Sequence, residues 1–193
     1  MTSLWAATRT IDPAIQEAAE FAAMAWADCV IVHSSAEAEL LQRMSPGTDV
    51  RVIPWTVEPR GVRKVTTKRP GLAFIGGYRH PPNVDAANWA AHSIMPLLRQ
   101  QVPEVELLLV GSHMPDEVAA LAASDILPVG FVPSLDDIFA RVRLTIAPLR
   151  YGAGLKGKVL ESMAAGVPCV MTTIAAEGLN LPAGLRSLVA DDV

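Results

Sequence analysis

The apolar positions of this chain fall into two regimes, separated by a stretch that has no pattern. In the first, Ile15, Ala18, Ala19, Ala22 and Trp26 recur at helical spacing and predict a helix over 14–27 with one apolar face. A short, continuously apolar run at 29–32 then predicts a buried strand. Ser34 or Ser35, followed by Glu37 and Glu39, marks a helix start, because a hydroxyl accepts from a first-turn amide and acids suit the positive end of the helix dipole. That helix is expected to end near Met44, before the turn at Pro46-Gly47, and 50–53 is expected to form another strand.

Residues 54–70 interrupt this order. They hold Arg60, Arg63, Lys64, Lys68 and Arg69, with prolines at both ends and no apolar face, which predicts a linker with a solvated basic surface. In the second regime, apolar runs at 72–76, 105–110, 127–132, 144–148, 168–171 and 187–190 alternate with helical stretches. The clearest helix is 84–102, where Val84, Ala87, Ala91, Ile94, Leu98 and Val102 keep one face apolar. Asn83 is expected to cap it, Asp85 to complement its dipole and Pro96 to kink it. Short strands that are apolar throughout, separated by helices, imply an α/β fold: a Rossmann-like, doubly wound parallel sheet covered on both faces. Ligands of such sheets bind beyond the carboxyl ends of the strands, so function is expected in the strand-to-helix loops.

Composition narrows the classes. The 193 residues are 51% hydrophobic and 19% charged, which excludes disordered and collagen-like chains. A net charge of −4 gives no global field for nucleic acid, so no nucleic-acid partner is expected. Cys29 and Cys169 lie inside apolar runs and read as buried thiols in a reducing compartment rather than as a disulfide. His33, His80, His92 and His113 lack metal-ligand spacing and are expected in structural or surface roles. The first residues do not have the form of a signal peptide, and Pro and Gly interrupt every long apolar run. The expected location is therefore cytoplasmic or peripheral to the inner face of the membrane.

Two loops place glycine directly after a strand, Gly76-Gly77 and Gly111. At Gly76-Gly77, sharp turn geometry and close approach of a ligand to the backbone are equally compatible with the sequence; at Gly111 turn geometry suffices. Neither loop has the Gly-x-Gly-x-x-Gly spacing of a dinucleotide site.

The loop after 144–148 carries more. It breaks at Gly152 and Gly154, and a helix is expected from Leu155 to Gly166 with Leu155, Val159 and Met163 facing the core. Gly154, Lys158 and Glu161 fall on an adjacent face. From 138 to 160 there is no acid, while Arg141, Arg143, Arg150, Lys156 and Lys158 are basic. Lysines at a helix start oppose its dipole by about 0.3–1 kcal/mol each unless an anion is bound, so Lys156 and Lys158 beside free amides predict an anion site. The competing reading is a Lys158–Glu161 surface pair. A carboxylate one turn further along suits a ribose diol, and diphosphate on the lysines with ribose on Glu161 describes a nucleotide sugar.

With these residues in place, the chain resembles the donor-binding half of group 1 (family 4) glycosyltransferases, whose two facing Rossmann-like domains make the GT-B fold. The resemblance covers most of 71–180: Phe74-Ile-Gly-Gly, His80-Pro-Pro-Asn-Val-Asp85, Val110-Gly111-Ser, Val129-Gly-Phe-Val-Pro133, Ala147-Pro-Leu-Arg-Tyr-Gly-Ala-Gly-Leu-Lys-Gly-Lys-Val-Leu-Glu161, Ala164-Ala-Gly-Val-Pro168 and Ala176-Glu-Gly-Leu179. The stretch from Ala27-Asp-Cys-Val-Ile-Val-His-Ser34 through Val52-Ile-Pro54 resembles the last strands of the family's acceptor-side domain.

The resemblance implies a nucleoside diphosphate sugar donor, transfer with retention to an acceptor hydroxyl of a saccharide, lipid-linked glycan or small molecule, and neither a cofactor nor an obligatory metal. It implies that Glu161 binds ribose, that Lys156 or Lys158 with Arg79 meets the diphosphate, and that the backbone at Phe131 and Val132 meets the base. Gly76, Gly77 and Gly154 belong to the same site, and Tyr151 borders the donor sugar. Two positions depart from the family: Ala153 stands where a second glutamate is common, and no lysine follows Arg79 in its loop.

The expected organisation is therefore a remnant of the N-terminal acceptor-side domain at 1–53, a linker at 54–70, and a donor domain at 71–193 that lacks its last helix. Such a fragment is expected to bind nucleotide and transfer little without its missing N-terminal domain, and the 1–53 surface facing that domain is expected to be apolar. The alternatives are a non-catalytic nucleotide-sugar binding module and a nucleotide-sugar epimerase of similar fold.

Overall fold

In the computed structural model, which describes residues 13–60 and 71–192, the apolar runs divide between two parallel sheets. The smaller follows α1 (Pro13–Trp26) and consists of β1 (Val30–Val32), α2 (Ser35–Met44) and β2 (Val50–Val52), with Val30 opposite Val50. Ser34 caps α2 as its position predicts, its hydroxyl accepting from the Glu37 amide at 3.2 Å.

The larger unit runs β3 (Gly71–Ile75), α3 (Pro81–Trp89), a π-helical turn (Ala90–Ile94), α4 (Met95–Gln101), β4 (Glu106–Val110), α5 (Asp116–Ala119) and β5 (Ile126–Gly130). It continues through α6 (Asp136–Arg141), β6 (Val142–Ala147), α7 (Gly157–Ala164), β7 (Cys169–Met171), α8 (Thr173–Ala176) and a 3-10 helix (Ala183–Leu188). The strand order is β5-β4-β3-β6-β7, all parallel, which is the expected doubly wound sheet. Alternation along the strands explains why their central positions are mostly apolar. Leu72, Phe74, Leu107 and Leu109 pack into a core on one face with Met95 and Met171, while Ala73, Leu108 and Val110 pack on the other with Phe139 and Val142. Two buried faces leave few polar positions in such strands.

The chain runs outward from β3 to β5, returns, and resumes on the other side at β6. The loops after β3 and β6 therefore diverge at the carboxyl edge and leave the crevice in which α/β sheets bind ligands.

Three expectations need correction. The 187–190 run is not a strand: the 3-10 turn engages the Leu185 and Val189 amides locally, and only a single bridge, Met171 to Val189, extends the sheet. The long helix begins at Pro81 with His80 as its N-cap residue, because prolines in a first turn lack donors that would have had no partner there. Asn83 thus lies inside the helix instead of capping it. Pro96 follows the π-helical turn, whose bond from the Met95 amide to the Ala90 carbonyl widens the helix just before the residue that lacks a donor. The apolar face of α1 is exposed: Trp26 is 91% and Ile15 62% accessible, so the pattern forms the helix and no described residue covers it. Ile31 and Ile53 of the same small unit are also more than half exposed, in line with the apolar 1–53 surface expected from sequence.

Candidate functional site

The first helical residue of α7 is Gly157, two positions later than the sequence suggests, so Lys156 is the N-cap residue and Lys158 lies in the first turn. A lysine supplies no acceptor for the first-turn amides, and no side chain caps this end. Just before it, Gly154 has φ +75°, the left-handed conformation open to glycine, and its carbonyl accepts from the Lys156 ammonium.

A cleft of about 260 Å³ opens here, lined by His80, Pro82 and Asn83 from the β3 side and by Leu149, Tyr151–Ala153 and Leu155–Lys158 from the β6 side. It is the crevice anticipated by the strand order. Of its two cations, Lys156 is buried and Lys158 is half-buried. Lys156 is 8% exposed and lies 3.9 Å from a Glu177 oxygen; burial pushes its ammonium down, and Glu177 and Glu37 oppose that shift. Lys158 donates to Asn83 Oδ1 and stands 4.7 Å over the Phe74 ring. Burial pushes it down to about 7, with Cys169 opposing and Lys156 adding to the fall. A buried ammonium whose partner is a neutral amide is a costly arrangement unless an anion completes it.

Of the residues singled out from sequence, Tyr151, Lys156 and Lys158 meet in this cleft together with Ala153. Gly76 and Gly77 form its back wall indirectly. A Cβ on Gly76 would sit 2.7 Å from Asn83 Cγ, so close packing explains that glycine, while the Gly77 carbonyl accepts from Asn83 Nδ2 at 2.8 Å. Arg79 is exposed and not among the lining residues. Phe131, 70% exposed, and Val132 follow β5, at the far edge of the sheet from β7.

Glu161 faces a second cleft, of about 480 Å³, lined by Trp55, Thr56, Val57, Glu58, Pro59 and Arg60. The Lys158–Glu161 pair weighed from sequence is replaced by an ion pair with Arg60, which also donates to Asp136 at 3.1 Å. The Arg60 amide bonds the Ala164 carbonyl at 2.7 Å, and its guanidinium lies 5.8 Å from the Phe139 ring centre. Arg60 is thus engaged and not a solvated linker residue; Arg63, Lys64, Lys68 and Arg69 lie outside the described residues. Trp55 packs on the start of α7, where a Cβ on Gly157 would meet its ring at 3.2 Å.

The acid-free stretch also divides. Arg141 and Arg143 flank the amino end of β6, opposite the cleft, and Arg150 pairs with Asp85. His80, Asn83 and Arg60 were missed as site residues. Asn83 was visible only as a helix cap, and nothing local connects Arg60 to a residue 101 positions away. A third, apolar groove of about 360 Å³ beside β7 has Asp192 as its sole charged lining residue and suits no anion. Among the described residues no group of His, Cys, Asp and Glu could hold a metal ion, and no helix is long and apolar enough to cross a membrane.

Residues 69–192 match the family of glycosyl transferases, group 1. No curated protein matches the chain in sequence. Among solved structures, it is similar to a variant of S. aureus TarM in complex with fondaparinux, alpha-GlcNAc-glycerol and UDP, at 15% identity and a TM-score of 0.70 over 87% of this chain and 35% of that one. Anabaena HepE in complex with UDP and glucose is 16% identical with a TM-score of 0.66, over 91% of this chain and 52% of that one. A UDP-forming alpha,alpha-trehalose-phosphate synthase from Burkholderia xenovorans is 15% identical with a TM-score of 0.60, over 85% and 50%. At these identities the likeness establishes the fold, and the chain spans about a third to a half of the length of these structures.

Proposed function

The chain belongs to the group 1 glycosyltransferases, and from that membership we propose that it is the donor-binding part of an enzyme that moves a sugar from a nucleoside diphosphate sugar to an acceptor hydroxyl with retention of configuration. Residues 71–193 are the donor domain, 54–70 the linker and 1–53 the end of the acceptor-side domain, whose remainder presents the acceptor. The reaction belongs to the cytoplasmic side.

The observation that carries this reading is the pair of lysines, Lys156 buried and Lys158 half-buried, at the uncapped start of α7, in the crevice between the β3 and β6 loops. A diphosphate there meets free amides and two ammonium groups, and the same groups stabilise the charge that develops on the leaving diphosphate as the glycosidic bond breaks. Glu161, one turn along, receives the ribose diol once Arg60 gives way, and the exposed Phe131 with the Val132 backbone meets the base. Gly76, Gly77 and Gly154 keep the loops close, Tyr151 borders the sugar, and Arg79 reaches the phosphates from the rim.

Calorimetry with UDP, GDP and ADP tests the site. Binding to at least one is expected, with loss in Lys158→Ala and weakening in Glu161→Ala; no heat with any of the three would remove the assignment. Ala153 favours a second reading, a nucleotide-sugar binding module without turnover, because it lines the cleft where relatives often place a carboxylate. Assay of sugar transfer by the natural full-length protein separates the two.

A further inference from the structure

Asn83 lies in the first turn of α3, 8% exposed, and its side-chain amide is committed at both ends. Nδ2 donates to the Gly77 carbonyl at 2.8 Å and Oδ1 accepts from the Lys158 ammonium. This orientation is forced, because an ammonium has no lone pair to accept with and a carbonyl no proton to donate; a flipped amide would face donor with donor and acceptor with acceptor. Packing fixes the residue as well, since a Cβ on Gly76 would lie 2.7 Å from Asn83 Cγ. One side chain thereby ties the loop after β3 to α7, 75 positions later, across the crevice.

We propose that Asn83 is the positioning residue of the donor site, holding the Lys158 ammonium toward the diphosphate through a neutral acceptor that does not compete for its charge. This role rests on the donor-site reading above. The other groups facing that ammonium are the Phe74 ring, the Lys156 ammonium and the Cys169 thiol, and His80 and Tyr151 line the same cleft. Asn83 supplies the hydrogen-bond acceptor among them. An aspartate in its place would pair with the ammonium and repel an incoming diphosphate. An alanine would leave a buried cation with no acceptor, which favours the neutral amine. An amide stabilises the cation without cancelling it.

The test uses the 193-residue chain with Asn83→Ala and Asn83→Asp. The chain has only four lysines, so the Lys158 titration can be followed by carbon NMR of the lysine side chains and assigned by its loss in Lys158→Met. The expected result is opposed movement of the titration midpoint: down in Asn83→Ala and up by about a unit or more in Asn83→Asp. In both variants UDP affinity, measured by calorimetry at pH 6.5, is expected to fall about tenfold or more. A purely structural role would weaken UDP without driving the midpoints apart. Midpoints that stay put or move together overturn the proposal, as does wild-type UDP affinity in Asn83→Asp. If Asn83→Ala fails to fold, as judged by thermal melting, the near-isosteric Asn83→Asp still decides. No binding of UDP, GDP or ADP by the wild-type chain would defeat the donor-site reading itself. Opposed midpoints with unchanged UDP affinity would defeat only the role of Asn83.

Discussion

Lys158 and Glu161 stand three residues apart on α7, yet the protein holds them in opposite ways. Lys158 is half-buried, its ammonium held against a neutral amide and an aromatic ring and lowered to about 7. Glu161 is about a third exposed and already neutralised by Arg60, an arginine at the end of the described part of the linker. One position is set up to gain from an anion, whereas the other must surrender an existing partner before it can bind a diol. Two charges on one helix turn therefore differ less in chemistry than in what the fold has placed opposite them.

The contrast is broken most sharply by Lys158→Met. Affinity for whichever of UDP, GDP and ADP the wild-type chain binds should fall about 10- to 100-fold, since a charged hydrogen-bond donor is lost, while the melting temperature should rise because a desolvated cation is replaced by an apolar side chain of similar length. The wild-type protein should reveal the same cost through pH. Between about 7 and the ordinary lysine value the unfolded chain holds a proton that the folded chain has released, so stability should increase with pH across that window, by on the order of a few kcal/mol. UDP affinity should move the other way as the ammonium is lost. Urea denaturation and calorimetry from pH 6.5 to 9.5 measure both, and the stability slope should flatten in Lys158→Met.

Next in size is Gly76→Ala. The added methyl meets the Asn83 side chain at 2.7 Å, and displacing it should cost about 1–3 kcal/mol in urea unfolding and weaken UDP with it. Arg60→Ala should have a smaller effect on stability, about 1 kcal/mol or less, because the pair with Glu161 is partly solvated. It should tighten UDP a few-fold if Glu161 receives ribose; weaker binding would show instead that Arg60 itself touches the ligand. Arg143→Ala should do least. It lies at the amino end of β6, so stability should stay within about 0.5 kcal/mol and UDP affinity should not change.

Much of the fold was legible. Strands buried on both faces announce themselves as unbroken apolar runs, and five of the six expected in the second regime form within two residues of their predicted bounds. The sixth, at 187–190, yields to local 3-10 bonds that periodicity does not weigh. The apolar stripe of α1 is legible as a helix, but spacing states that a face is apolar and not what covers it. In the site, Lys156 and Lys158 were visible from the acid-free charge pattern next to a helix start. Asn83 was read for its commonest local role, while its hydrogen bonds reach Gly77 and Lys158.

Sequence by itself determined the α/β alternation, the parallel sheet and the lysine-bearing turn at the start of α7, all of which depend on neighbours within a few positions. Only the tertiary structure decided which charges meet. It placed Lys158 on Asn83 and Glu161 on Arg60, and it sent Arg141 and Arg143 to the opposite edge of the sheet. The physical reason is that burial and pairing are properties of the space between elements, set here by the reversal of strand order between β3 and β6.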